Sequence, residues 1–413
     1  MTSEPSTLPR LVEERPLPRR GLGFVAVVAS LVMVFAASGA PIPLYERYRA
    51  AEGLTTGDLS LAAVAYFVAV MVALVVLGRL SDHVGRRAVA LAAVVLAAAG
   101  SLSLLDVTGL GVLVTGRVLQ GVACGLGSSA IAAAIVDLAP ARSRWIAATA
   151  VAGSPLIGLT LGALGSGALA EHGPAPLQSP SLIVSALLAV CGVLLVLSPE
   201  PVARRSGALR SLRPQVHLPQ AIRPLLPAAV AVFCGTWALG GFYQAFSPTI
   251  SAQQLGTDST LVAAVVFASF MAPYALGGPL TGRLSPFAAQ RLGIVVFALA
   301  VLGVVAGLRS GTILAVVLCG MVAGAAQGAA FTGSLRGLLG RIGPGERAGL
   351  MATVYLFSYG GAAVPSLLSG RLTAAGVSLQ TLSLGYAVLA GLAAAVVLLT
   401  AGTGRGPDTG AMR

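Results

Sequence analysis

The chain has 413 residues, of which 56% are apolar and only 10% charged. Soluble domains run nearer half apolar and a quarter charged, which excludes a water-soluble enzyme, a nucleic-acid binder and a disordered tail. At about 20 residues per crossing, twelve spans would use roughly 240 residues and leave short loops, so an all-α polytopic protein of the lipid bilayer is expected. Arginine alone supplies the basic residues, 26 against 14 acids with no lysine, for a net charge of +12. In a membrane chain that excess reports orientation rather than nucleic acid, because arginine-rich loops stay cytoplasmic.

Apolar runs between charge and Gly/Pro clusters predict helices at 22–44, 58–80, 88–106, 110–136, 145–170 and 181–198. Six more follow at 225–247, 259–282, 291–308, 311–336, 347–370 and 379–402. The first run follows Arg15, Arg19 and Arg20 and holds small residues at Ala36–Ala40, as a signal peptide would. Its length and the nearby Glu13 and Glu14 favour a retained first span. With the amino terminus inside, only Arg47, Arg49, Arg309 and Arg371 fall outside, and Arg117 sits within a span. The other 21 arginines then lie inside, so both termini are expected in the cytoplasm of a multi-pass protein of the cell (plasma or inner) membrane.

The longest polar interval, 199–224, splits the spans into two sets of six. The expected organisation is a tail at 1–21, a six-helix bundle at 22–198, a linker at 199–224, a second bundle at 225–402 and a tail at 403–413. An internal repeat supports the split: Gly78-Arg79-Leu80-Ser81 recurs 204 residues later as Gly282-Arg283-Leu284-Ser285. The same shift carries Ser154, Gly158, Gly162 and Ser166 onto Ser358, Ala362, Ser366 and Gly370. Small residues at every fourth position let helix backbones approach closely in lipid.

Between helices two and three the sequence reads Gly78-Arg79-Leu80-Ser81-Asp82-His83-Val84-Gly85-Arg86-Arg87. Gly78 permits close packing, Gly85 a sharp turn, and Arg86 and Arg87 anchor the loop inside. Asp82 is either a capping residue or part of a charge network. In helix four, Arg117-Val118-Leu119-Gln120-Gly121 places a cation seven residues from Leu110, roughly 10 Å deep. Arg117 must find a cavity or a partner, or else snorkel to the interface; Asp58 is the nearest candidate partner.

The two segments resemble the GxLxDxxGRR and RxxQG signatures of the major facilitator superfamily, secondary transporters built from two pseudo-symmetric six-helix bundles. The resemblance implies that Asp82 faces the amino terminus of helix eleven, after Gly343-Pro344-Gly345, and that Asp137 joins Arg86. In the second half Pro286 replaces Asp82 and Ala289 replaces Gly85, so that copy is degenerate. Helix five carries Gly153-Ser154-Pro155-Leu156-Ile157-Gly158, a departure from the GxxxGPxxGG-like motif of exporters. It keeps Pro155, Gly158 and Gly162 for a kinked, tightly packed helix.

Substrate-cavity candidates are Met33, Phe35, Trp237, Tyr243, Gln244, Phe270, Tyr274, Gln327, Tyr355 and Tyr359; each is open to a lipid-facing reading, but as a set they suit an amphipathic organic molecule. Cys124, Cys191, Cys234 and Cys319 lie in apolar runs at no metal-ligand spacing, so neither metal nor cofactor is expected. Without lysine there is no GxxxxGK[ST] motif, which excludes ATP hydrolysis. The expectation is a non-enzymatic secondary transporter working by alternating access, a proton-coupled exporter of small organic compounds that functions as a monomer. The alternative is a proton-coupled importer of sugars or organic acids. An intramembrane enzyme is remote, because His83, His172 and His217 all fall in loops.

Overall fold

A computed structural model describes residues 17–140, 144–202, 205–213, 219–343 and 346–400. Outside this set lie most of both expected tails, Pro344 and Gly345 of the turn before helix eleven, and Arg10, Arg15, Arg142, Arg204, Arg405 and Arg413.

Among the described residues, twelve helices are long and apolar enough to span a bilayer. They are α1 (Gly21–Glu52), α2 (Thr56–Leu77), α3 (Arg86–Ser103), α4 (Leu110–Leu138), α5 (Ile146–His172) and α6 (Ser179–Leu197). The second set is α7 (Gln220–Gln253), α8 (Thr260–Leu280), α9 (Pro286–Arg309), α10 (Ile313–Leu339), α11 (Gly349–Ala374) and α12 (Leu379–Leu399). Among the described residues there is no strand. Lipid forbids unpaired backbone, and local caps finish several ends. Thr55 and Asp58 form a capping box at the start of α2, and Ser259, Ser285 and Ser378 cap α8, α9 and α12.

Two ends differ from expectation. The first helix does not stop near residue 44: Pro41 precedes and Pro43 lies within a short 3₁₀ turn, Ile42–Leu44, and a helical segment continues over Tyr45–Glu52. Proline at the first position of a helical turn has no N–H to lose, so it redirects the chain rather than ending it. The seventh helix runs to Gln253 through Pro248, past the polar stretch where 247 was expected to end it.

Packing repeats between the halves. In the first half α1 packs on α5 and α6, α4 on α2 and α3, and α3 on α6; in the second, α7 packs on α11 and α12, α10 on α8 and α9, and α9 on α12. The halves meet through a matching pair of seams, α2 with α11 and α8 with α5. Alternation of the spans puts the 78–87 loop and most described arginines at one end, and residues 45–58, 172–179 and 249–260 at the other. We call these the arginine-rich and opposite ends.

Small residues set the helix spacing. A Cβ on Gly158 would lie 2.3 Å from the Val32 carbonyl oxygen, and one on Gly162 would lie 2.1 Å from that of Ala36. Gly162→Val should therefore destabilise the fold by about 1–3 kcal/mol or more, while Gly165→Val on the exposed side of the same helix stays near neutral. Thermal unfolding of the two purified variants in detergent checks the contrast.

Candidate functional site

The loop after α2 is built around Gly85, whose φ is +105° and whose pro-side-chain position faces the Glu200 carboxylate, with Oε2 2.9 Å from an added Cβ. Any larger residue would displace that carboxylate. Glu200 accepts from the backbone N–H of Arg86 at 2.8 Å and of Arg87 at 3.1 Å, capping α3 from the far end of α6. Arg86 pairs with Asp82, bonds Ser81 Oγ at 2.6 Å and reaches Asp137 Oδ2 at 3.2 Å. Arg87 donates to the carbonyls of Val196 and Ser198. Asp82 is half exposed, and its ion pair is with Arg86 rather than with α11. The segment after Glu200 is tied to the same loop: Arg79 donates to Ser211 and Arg213 carbonyls, and the Arg205 N–H to His83. Gly78 closes the π turn Ala73–Leu77 that ends α2.

Arg117 is fully buried, so it does not snorkel to the interface. Nη1 donates to the Ser38 carbonyl at 2.7 Å and to Gln120 Oε1 at 2.8 Å, while Gln120 Nε2 donates to the Ala37 carbonyl at 2.8 Å. Its guanidinium carbon lies 4.5 Å from the Tyr66 ring centre and 5.9 Å from that of Tyr45. Such cation–π contacts are worth about 0.5–2 kcal/mol. Gly121 lets α4 approach α2, since a Cβ there would meet the Tyr66 carbonyl oxygen at 2.6 Å. Asp58 is not its partner, being held in the capping box by the Thr55 N–H and hydroxyl.

Beside this nest, aromatic side chains form a band across the halves. Tyr66 packs edge-on to Phe67 at 5.5 Å, Phe67 reaches Tyr359 at 6.4 Å, and Tyr359 meets Trp237 at 4.8 Å. Phe331 lies 6.4 Å from Trp237 and 6.0 Å from Tyr274, and Tyr355 is 6.3 Å from Tyr359.

At the opposite end, hydrogen bonds join the halves. Glu171 Oε2 accepts from the Thr260 N–H at 2.9 Å and its hydroxyl at 3.3 Å, at the first turn of α8. Thr249 Oγ1 donates to Glu46 Oε2 at 3.3 Å, and Ser60 Oγ donates to the Ser366 carbonyl at 2.6 Å.

A family model described as Major Facilitator Superfamily matches residues 22–286. The chain belongs to the Major Facilitator Superfamily. No curated protein sequence matches it. Among solved structures it is similar to a bacterial homologue of the human lysosomal transporter Spinster, crystallised in an inward-facing and unoccupied conformation. The TM-score is 0.73 at 14% identity, over 94% of this chain and 98% of that one, a likeness of fold. Superfamily and fold are those of membrane transporters rather than enzymes.

Within this superfamily member the residues singled out from sequence separate into groups. Trp237, Tyr274, Tyr355 and Tyr359 come together in the aromatic band. Gln244, two turns from Trp237, is on the same face of α7 and buried, with an unbonded Nε2. Gln327 is buried in α10, and Met33 is half-buried in α1. Tyr243 and Phe270 stack on each other at 4.9 Å, inside the second half and away from the band. Phe35 is spent on packing, its Cβ lying where Gly158 of α5 leaves room. Pro155 lies inside α5. Sequence reasoning missed Tyr66, Phe67 and Phe331, together with Glu46 and Glu171; aromatic residues on α2 and acids at span ends were the available signals.

Removing the Glu200 carboxylate should loosen the loop without touching the band. Glu200→Gln is expected to lower stability by about 1 kcal/mol, as loss of a charged helix cap does. Limited proteolysis between residues 78 and 87 should accelerate in the same variant.

Proposed function

We propose that this protein is a secondary active transporter that exports small amphipathic organic compounds in exchange for protons by alternating access. The observation that carries the reading is the aromatic band of Trp237, Tyr274, Tyr355, Tyr359 and Phe67, placed between the halves and beneath the hydrogen bonds of the opposite end. Its rings offer apolar area, with hydroxyls and the amide of Gln244 for orientation, which suits an amphipathic molecule better than a sugar.

By the positive-inside rule the arginine-rich end is cytoplasmic, so the Glu171–Thr260, Glu46–Thr249 and Ser60–Ser366 bonds form an external latch. The units that move are the bundles at about 22–198 and 225–402, joined by the linker. Opening the outside requires breaking the latch, and closing the inside requires new contacts there. Asp82, half exposed beside Arg86, is the residue placed to supply one by docking on the first turn of α11, whose dipole is positive.

External protons act on the latch. A carboxylate accepts hydrogen bonds about twice as strongly as a neutral group, and Glu171 also faces a helix start. Protonation from outside weakens both terms, so external acid favours outward opening. The latch is strongest where the Glu171 carboxylate is ionised and weakens when that carboxylate is protonated.

Flux in everted vesicles tests the export reading. An inside-acid gradient is expected to drive substrate uptake, and collapse of the gradient to stop it; uptake driven only by the opposite gradient would make the protein an importer. Asp82→Asn should cut transport to near background at unchanged expression, with labelling of an external-face cysteine reduced. A Glu171→Cys, Thr260→Cys disulfide should block flux until reduced, and flux undiminished by the closed disulfide would remove the latch from the cycle.

A further inference from the structure

We infer that the substrate is an anion, a carboxylate-type group on an apolar or aromatic body, with Arg117 as the residue that selects its charge. The inference deepens the export reading of the aromatic band and rests on it.

Arg117 is a cation at 0% exposure whose Nε and Nη2 have no hydrogen-bond partner. Nη1 alone is engaged, by the Ser38 carbonyl and Gln120 Oε1. Guanidinium Nε and Nη2 are the two donors that form the planar fork which matches a carboxylate. Two phenols of the α1 extension, Tyr45 and Tyr48, are likewise buried with unpartnered hydroxyls, and the Tyr45 ring lies beside the guanidinium. Buried polar groups are normally satisfied, and a bare donor pair on a charged group calls for a reason.

Continuity with the band supplies the rest of the molecule. The Tyr66 ring that covers Arg117 at 4.5 Å leads through Phe67 and Tyr359 to Trp237. An anionic head at the fork would thus have its body on aromatic faces. Charge placement excludes the reverse polarity. Among the described residues the acids sit at span ends or in loops: Glu46, Glu52, Asp58, Asp106, Glu171 and Asp258 at one side, Asp82, Asp137, Glu200 and Glu346 at the other. A lipophilic cation in the band would meet Arg117 in a low dielectric with no carboxylate to offset it.

A matched trio of probes tests this: 2-naphthoate, 2-naphthamide and (2-naphthyl)trimethylammonium, titrated into purified full-length protein by calorimetry and then assayed for flux in proteoliposomes. The naphthoate should bind about tenfold or more tighter than the amide, as a charge-assisted pair of hydrogen bonds predicts, and the ammonium weakest. Arg117→Gln should erase the naphthoate preference, with naphthoate losing more affinity than the amide until the two bind alike, and Arg117→Lys should keep part of it. Trp237→Ala should weaken all three in parallel. Equal or tighter binding of the amide or the ammonium by the wild type overturns the inference and leaves the export reading standing. So does a preference that survives in folded Arg117→Gln. If none of the three binds, the aromatic band is not a substrate site, and both readings fall together. Should Arg117→Gln not fold, the wild-type ranking and Arg117→Lys decide alone.

Discussion

Lipid gives one helix no hydrophobic incentive to pack on another, because acyl chains are as apolar as leucine. This chain is therefore held together by close backbone approach through small residues and by a limited set of polar pairs. Gly158 and Gly162 bring α5 against α1 within the first half, and Gly57, Ser60 and Gly370 bring α2 against α11 between the halves. Hydrogen bonds cross between the halves at one end, from Ser60 to Ser366, Glu171 to Thr260 and Glu46 to Thr249.

The same solvent dictates where charge can stand. Ionised groups in hydrocarbon cost several kcal/mol unless paired, so the described acids lie near the ends of spans or in loops. There they do mechanical work. Glu200 ties α6 to the start of α3, Asp137 and Asp82 hold Arg86, and Glu171 reaches from one half to the start of α8 in the other. Arg117 departs from this distribution, and its surroundings show how the departure is tolerated. Two acceptors on one nitrogen and two aromatic faces offset part of the cost.

Much of this was legible in the residue pattern. Apolar runs placed all twelve spans, the 204-residue repeat showed the two halves, and the loop signature led to Gly85, Arg86 and Asp82. The failures have physical causes. The first apolar run was expected to end at 44, yet a 3₁₀ turn carries α1 onward over a polar segment, Tyr45–Glu52, that no apolar run would join to a span. Glu171 and Glu46 act by reaching across a seam, and spacing along one chain does not report which ends face each other. Tyr66 and Phe67 escaped notice because α2 was read for its loop, and Tyr243 was included for its type although its face of α7 turns into the second half.

The central claim is that the two ends open in alternation, one latch closing as the other releases. Pulsed electron–electron distance measurement tests it most directly, with spin labels at His172 and Gln253 on the latched end and at Pro140 and Arg283 on the arginine-rich end, in a background lacking the four native cysteines. Lowering the pH should add a longer distance to the first pair and a shorter one to the second, in matching proportion. Distances that stay fixed at both ends, or that lengthen at both together, would contradict the account.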